Sequence, residues 1–380
     1  NMFSKKNNKR VIVAMSGGVD SSVAAALIAQ QGYEVIGVTM RMFDTPNEKI
    51  AKLNKSCCSI EDVEDARMVC SQIGAKHYFL NFVKEFEQNV IDYFVSEYEL
   101  GRTPHPCLAC NDRMKFDFLV ERSKIMDADF VATGHYARIV KQQNTYLLQK
   151  GINEQKDQSY VLYNLKQQQL KSLMFPIGNY SKDQIRDIAR KFGLATADKP
   201  DSQDICFIPS GNYKKFIEPR INKKVSGKIV DVNGNHLGDH DGIHQYTIGQ
   251  RKGINVKNTS RRPMYVSKID IETGDVIVGY AEHLLHDTLI ANKVNWISGT
   301  LPTEKINVTA RIRYNGNDVP ATALAIDSNN AIVKFENPIR AITPGQPVVF
   351  FNGSNVLGGG IIERHIQSEE TAIESSLAKI

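Results

Sequence analysis

The hydrophobic and polar positions change rhythm part way along the chain. Val11–Met15 is an unbroken apolar run, as expected for a strand buried on both faces of a parallel sheet. Ser21–Gln31, rich in alanine and ended by Gly32, predicts a helix, and Glu34–Met40 predicts the next strand. Ser59 and Asp62 stand at capping-box spacing at the head of a predicted helix, Ile60–Ile73, that Gly74 stops. His77–Asn81 reads as a strand and Phe82–Leu100 as an amphipathic helix closed by Gly101. A helix from the Thr103–Cys107 loop through Met126 follows, then strand Asp129–Thr133 and the turn Gly134-His135-Tyr136. Helices over Gln158–Leu165 and Lys182–Phe192 complete this half. Strands alternating with helices predict an α/β fold with a doubly wound parallel sheet.

Beyond Phe207 the elements shorten. Lys228–Val232, Asn233-Gly234 and His236–Leu237 predict a hairpin with a two-residue type I′ turn. Val266–Ile269 and Val276–Val278 flank another turn. Strand-like runs recur at Thr288–Trp296, Asn307–Ile312, Ala321–Ile326, Ala331–Phe335, Val348–Phe351 and Val356–Ile362, which predicts a small antiparallel β-barrel. The expected division is residues 1–207, a small central domain at 208–282, a barrel at 283–365 and a polar tail at 366–380.

Composition narrows the class. With 42% hydrophobic and 23% charged residues in 380, collagen-like, mucin-like and disordered chains are excluded. No apolar run approaches the ~18–20 residues of a membrane span. The basic start is followed by too short an apolar run for a signal peptide, so a cytoplasmic protein with no membrane partner is expected. Six cysteines are too few for a disulfide scaffold and point to reduced thiols, metal ligands or redox catalysts. Net charge is only +5, but 12 Lys/Arg stand against 8 Asp/Glu between Ile208 and Glu282. A polyanion would be steered there.

Ser16-Gly17-Gly18-Val19-Asp20-Ser21-Ser22 links the first strand to the first helix. Glycines let a ligand approach the backbone, and a helix N-terminus offers N–H groups to an anion. Serine hydroxyls add donors, and Asp20 is a candidate Mg²⁺ ligand. The chain has no Walker A loop: its one Gly-Lys, Gly227-Lys228, lacks both the preceding Gly and the following Ser/Thr. Ser16–Ser22 resembles instead the PP-loop of the ATP pyrophosphatases, which split ATP to AMP and pyrophosphate while adenylating a carbonyl oxygen. Met40 and Gly134, each near the end of a predicted strand, lie where parallel sheets bind ligands.

Cys107-Leu108-Ala109-Cys110 follows Thr103-Pro104-His105-Pro106 at a predicted helix start, where a thiol's pKa is lowered. Cys206 lies in Asp201-Ser202-Gln203-Asp204-Ile205-Cys206-Phe207. With Cys57 or Cys58 as a fourth ligand these thiols could form a structural zinc site. Cys70 falls on the apolar face of its helix and reads as core.

The PP-loop, Cys110-Asn111 and Asp201–Phe207, in that order, are together similar to the tRNA-specific 2-thiouridylase family, from about Val11 to Ile362. Further matches are Gly134-His135-Tyr136-Ala137, Lys156-Asp157-Gln158-Ser159-Tyr160, Thr247-Ile248-Gly249-Gln250-Arg251, Arg313-Tyr314 and Thr343-Pro344-Gly345-Gln346. The resemblance implies an ATP- and Mg²⁺-dependent sulfurtransferase that forms 2-thiouridine at the wobble position of Lys-, Glu- and Gln-type tRNAs. A cysteine desulfurase or sulfur-relay protein would supply the sulfur. It makes Cys110 the nucleophile and Cys206 the persulfide carrier, the two ending as a disulfide. Ala14, Met15, Ser16, Gly17, Gly18, Val19, Asp20, Ser21, Met40 and Gly134 would contact ATP. His105, Pro106 and Cys107 would face the target base. His135, Lys156, Asp157, Gln158, Arg313, Tyr314 and Gln346 would touch tRNA. Taken singly, each has a plain structural alternative.

One position departs from the pattern: many relatives carry Asp where this chain has Cys107. Three thiols, Cys107, Cys110 and Cys206, suit a [4Fe–4S] cluster as well as a persulfide route. Two rival readings remain at this level. An amide-forming PP-loop ligase needs no paired cysteines, and a zinc-stabilised RNA-binding protein would cleave no ATP.

Overall fold

A computed structural model describes residues 8–43, 60–201, 205–208, 211–256 and 261–366. The chain divides into two compact units, one of residues 1–91, 106–213 and 354–356, the other of residues 92–105, 214–353 and 357–380.

The first unit is built on a five-stranded parallel sheet in the order β3-β2-β1-β4-β7. Its strands are β1 (Arg10–Ala14), β2 (Glu34–Arg41), β3 (Lys76–Asn81), β4 (Phe130–Ala132) and β7 (Leu173–Met174). Between β4 and β7 come β5 (Ala137–Gln142) and β6 (Thr145–Lys150), an antiparallel hairpin. Val11, Ile12 and Val13 are fully buried, as their unbroken apolar run requires. Helix α1 (Val19–Gln30) is buried on nearly every side, and so lacks a polar face. Helix α2 (Ile60–Gln72) buries Ala66, Val69 and Cys70 in the same core. Burial also pushes the Cys70 thiol up to about 11, so it is an inert core group.

Further on, the chain takes a helical turn at Pro106–Ala109, a π-helical stretch at Cys110–Phe116 and helix α3 (Asp117–Ile125). A second π-helical stretch, Glu87–Ile91, interrupts the predicted Phe82–Leu100 helix. Because π-turns occur inside otherwise α-helical segments, a pattern read as one long helix does not mark them. Helix α4 (Lys182–Lys191) has the strongest cap, a box between Ser181 and Gln184. Gln158–Leu165 is not a full helix but a 3₁₀ turn, Ser159–Leu162.

The second unit carries two β structures. The central sheet runs β10-β11-β8-β9, from β8 (Gly227–Asp231), β9 (His236–His240), β10 (Tyr265–Ile269) and β11 (Val276–Gly279). The predicted type I′ turn does not form. Residues 232–235 make a four-residue loop in which Asp231 Oδ1 accepts from the N–H groups of Asn233 and Asn235. Of the two central residues only Gly234 has positive φ, whereas a type I′ turn needs both. The aspartate side chain replaces the tight turn.

Six antiparallel strands form the barrel: β12 (Leu285–Trp296), β13 (Ile306–Arg311), β14 (Val319–Ala325), β15 (Ala331–Arg340), β16 (Pro347–Asn352) and β17 (Asn355–Ile366). Pairing of β12 with both β15 and β17 closes the ring. Alternating inward residues, among them Val333, Phe335, Val348 and Phe350, fill its core. Ser59, Cys57, Cys58, Ser202–Asp204 and the tail beyond Ile366 lie outside the described residues.

Candidate active site

The nucleotide loop sits at the C-terminal end of β1. Gly17 has φ +76°, and a Cβ there would meet the Asp62 backbone oxygen at 2.3 Å, so only glycine lets the loop lie against the first turn of α2. Gly18 caps α1 with its backbone alone. The hydroxyls of Ser21 and Ser22 donate to the Gly18 carbonyl (3.2 and 2.8 Å), and Ser16 N–H donates to Ser21 Oγ (3.1 Å). Serines therefore hold the loop closed, leaving the first N–H groups of α1 as the anion-facing donors. Gly134 abuts the same helix start: a Cβ would lie 2.8 Å from Ser21 N. Met15 and Met40 are buried, and Ala14 ends β1 half-buried.

Cations crowd this loop. Lys182, at the start of α4, donates to both oxygens of Asp20 (2.8 and 2.9 Å) and pairs with Asp201 (2.7 Å). Tyr136 adds its hydroxyl to Asp20 (2.7 Å), and burial, followed by the Asp20 charge, drives its pKa upward, so it donates as a neutral phenol. Asp201 also accepts from Lys156 (2.7 Å) and Arg186 (3.3 Å). Burial alone would raise Asp201, but hydrogen bonds from Lys156 and Lys182 hold it below its usual range. Lys199 bonds Asp62 (2.6 Å), Asp65 (2.5 Å) and the Gly17 carbonyl (3.0 Å). Four cations thus surround the loop and its acidic partners, Lys182 and Lys199 touching the loop itself and Lys156 and Arg186 reaching it through Asp201. Sequence reasoning missed Lys182, Arg186 and Lys199. The signal for two of them was Lys182 and Arg186 at i,i+4 on an amphipathic helix.

Both oxygens of Asp20 accept from Lys182, and a carboxylate has about four lone-pair sites, so the side chain keeps acceptor positions for a cation. Mg²⁺ needs one or two carboxylates and takes its other ligands from water and phosphate, so a single aspartate suffices. Among the described residues no three His, Cys, Asp or Glu side chains gather as a metal site.

The cysteine segments belong to the same unit. Cys107 is exposed and Cys110 buried, with its Sγ 3.9 Å from Met42 Sδ. Phe43, next to Met42, packs on Phe86 (ring centroids 6.1 Å), and Phe86 meets Phe207 edge-on (5.5 Å). Phe207 adjoins the half-buried Cys206. This run of contacts links the two segments through the rings of Phe43, Phe86 and Phe207. Among the described residues none of the thiols of Cys107, Cys110 and Cys206 belongs to a group of three His, Cys, Asp or Glu side chains placed to hold a metal ion.

Several expected tRNA contacts are turned inward. His135 is buried between Phe116 and Phe175 (5.8 Å each) and bonds Thr133 Oγ1 (2.6 Å). Burial first, and Lys115 second, lower its pKa to about 3, the state of a neutral core histidine. Buried Asp157 accepts from Gly151 N–H, Ser159 N–H and Ser159 Oγ. Gln158 and Tyr136 exchange two bonds of 3.0 Å, and Lys156 is taken by Asp201. His135 and Asp157 find their partners inside the fold because they are buried, which sequence could not show, whereas Lys156 is paired with Asp201 while still partly exposed.

In the second unit, His105 lies against Tyr314 (5.8 Å), and burial takes its pKa down to about 4, so it is neutral at pH 7. Gln346 donates to the Thr103 carbonyl (2.7 Å), and Arg313 to the Ala341 carbonyl (3.0 Å). Pro106 is buried. The basic stretch forms a cleft of about 390 Å³ lined by Arg251, Arg261 and Arg262, with Arg262 held by Glu282.

Comparison with known proteins follows the same order of parts. Residues 9–210 match the family model described as tRNA methyl transferase HUP domain. Residues 214–280 match its PRC-barrel domain, and residues 286–362 match the aminomethyltransferase beta-barrel domain. The tRNA-specific 2-thiouridylase MnmA 2 of Caldanaerobacter subterraneus subsp. tengcongensis is 47% identical over 95% of this chain and 100% of its own length. That of Carboxydothermus hydrogenoformans is 48% identical over 94% of this chain and 98% of the relative, and that of Clostridioides difficile 46% over 94% and 99%. With near-half identity running end to end through nucleotide loop, cysteine segments and barrel, this chain belongs to the tRNA-specific 2-thiouridylase family.

Proposed function

We propose that the protein is an ATP-dependent sulfurtransferase that converts the wobble uridine of tRNA to 2-thiouridine, with release of AMP and pyrophosphate. The observation that carries the reading is one compact unit holding both the phosphate-type loop and the Cys110 and Cys206 segments. An amide-forming ligase has no use for the second feature. A purely RNA-binding protein has no use for the first.

The uracil O2 attacks the α-phosphate of ATP and pyrophosphate departs, stabilised by the N-terminus of α1 and the ammonium groups of Lys182 and Lys199. Mg²⁺, held by Asp20 and the phosphates, would add charge neutralisation there. The terminal sulfur of a Cys206 persulfide, loaded by a sulfur-donor protein, attacks C2, and AMP leaves. Cys110 thiolate then attacks the Cys206 sulfur. Its S–S bond breaks, the electron pair stays with the sulfur on C2, and a Cys110–Cys206 disulfide remains for an external dithiol to reduce. Water must be kept from the adenylate, and the uridine must leave the anticodon stack to present C2. In this reading residues 1–207 do the chemistry, while 208–282 and the barrel at 283–365 serve tRNA.

The direct test is mass spectrometry of tRNA nucleosides after incubation with ATP and a sulfide or persulfide source. Formation of 2-thiouridine with stoichiometric AMP is expected, and AMP formation without thiolation would sink the proposal. Cys107→Asp separates the routes of sulfur. The persulfide route expects activity equal to or above that of the parent protein, and a cluster route expects iron content and thiolation to fall together.

The basic stretch makes a separate prediction. Replacing Lys214, Lys215, Arg251 and Lys252 with Ala should weaken tRNA binding and flatten its salt dependence by about one counterion per lost phosphate contact. An unchanged slope would show that tRNA is held elsewhere.

A further inference from the structure

Three family-like motifs of the second unit, separated by up to about a hundred residues in sequence, converge on one short piece of backbone. Thr103 N–H donates to the Pro344 carbonyl (2.9 Å), and the Thr103 carbonyl accepts from Gln346 Nε2 (2.7 Å). Its hydroxyl reaches Thr247 Oγ1 (3.4 Å). Both backbone groups of Thr103 are thus committed to the turn at residues 343–346. Gly345 between them has φ +93°, and a Cβ there would lie 2.9–3.0 Å from the Thr103 backbone, so glycine permits the approach. Two residues on, the His105 ring lies against Tyr314.

The turn that grips Thr103 is itself fixed. Gly345 N–H donates to the Ile362 carbonyl, and Ile362 N–H to the Gln346 carbonyl, both at 2.9 Å. Ala341, just upstream, has φ +57°, a costly conformation for a residue with a Cβ. Its carbonyl accepts from both Arg313 (3.0 Å) and Thr343 Oγ1 (2.9 Å), which hold it there. Gly249 comes within 3.3 Å of the Ala341 methyl, measured from the position its own Cβ would take. Arg313, Gly249, the 343–346 turn and Thr103 therefore form one connected support.

We infer that Gln346 and Tyr314 are positioning residues: through Thr103 and His105 they fix the segment that enters the Cys107-x-x-Cys110 loop, and so set the reactivity of its thiols before tRNA arrives. The amide of Gln346 donates to a backbone carbonyl of its own chain, which ties the 343–346 turn to the segment before the cysteines. His105, neutral and against an aromatic ring, is held by shape rather than by charge. His105 is two residues from Cys107 in the chain, so freedom at Thr103 becomes freedom at the first thiol. For the thiolation arm alone, the inference rests on the sulfurtransferase reading.

The test uses the full-length protein without ATP or tRNA. Gln346→Met keeps length and removes the donor, and Tyr314→Phe keeps the ring while Tyr314→Leu does not. Alkylation of Cys107 by iodoacetamide is followed by peptide mass spectrometry, with Cys70 as an internal measure of global opening. Release of the clamp predicts a change of about threefold or more in the Cys107 rate for Gln346→Met and Tyr314→Leu. Tyr314→Phe should match the parent protein, and Cys70 should stay unreactive in all. Single-turnover thiolation at saturating tRNA should fall about tenfold in the same two variants. A Cys107 rate unchanged in both variants would overturn the inference, whatever happens to tRNA binding. Because that readout needs no thiolation, its failure is distinguishable from a failure of the proposed reaction.

Discussion

Replacing Cys206 with Ala should abolish 2-thiouridine formation, with a loss on the order of 10⁴-fold or more, as for removal of any covalent nucleophile. ATP and tRNA should still bind, because Cys206 is half-buried at the edge of the Phe86–Phe207 contact and carries neither the nucleotide loop nor the basic stretch. Cys110→Ala should be equally severe in multiple turnover but differ in one respect. With persulfide-loaded protein, the sulfur can still reach C2, so a Cys206-linked tRNA adduct should accumulate because no thiol is left to break its S–S bond. Intact-mass analysis of the protein–tRNA mixture under non-reducing conditions detects that adduct. Free 2-thiouridine from Cys110→Ala at the parental rate would remove Cys110 from the mechanism. Cys70→Ala is the control. That thiol is fully buried with a pKa pushed up to about 11, so the substitution should cost some stability and no chemistry.

Gly17→Ala should have the second-largest effect. At φ +76° an alanine is strained by about 1 kcal/mol, and its Cβ would stand 2.3 Å from the backbone oxygen of Asp62. Backbone cannot swing away as a side chain can, so the loop and the first turn of α2 must separate. That separation also breaks the bridge from Lys199 to the Gly17 carbonyl, Asp62 and Asp65. ATP affinity should fall about a hundredfold, roughly the loss of two charge-assisted hydrogen bonds, as measured by calorimetry or by the ATP dependence of AMP release. tRNA affinity should be nearly unchanged. Gly18→Ala is the matched contrast: its φ is −90°, and the nearest atom to an added Cβ is Ser16 Oγ at 3.5 Å. An equal loss at both positions would point to a general intolerance of side chains in the loop instead of the Asp62 contact.

Elements whose formation depends on local rules were legible in the sequence. The β1 strand, α1, α4 and all six barrel strands follow from apolar periodicity and helix-end signals, which act over a few residues. The nucleotide loop was legible for the same reason, since strand, glycines and helix start are contiguous. What failed locally was the type I′ turn, where the Asp231 carboxylate captures two backbone N–H groups, and the β5–β6 hairpin, whose Lys- and Gln-rich strands carry little apolar alternation.

The orientation of the site residues was decided only by tertiary structure. Sequence placed His135, Asp157 and Gln346 in one class, as groups for RNA. The fold buries the first between two phenylalanine rings, uses every oxygen of the second inside a turn, and directs the third onto the Thr103 carbonyl. Likewise Asp20 looked like a solitary acid, and its partners Lys182 and Tyr136 are 162 and 116 residues away. By itself the sequence determined which chemical groups this protein possesses and which short segments carry them. Whether a given group faces a ligand or supports its neighbours depends on burial, because a polar atom removed from water must find its partner within the fold, and that partner is set by long-range packing.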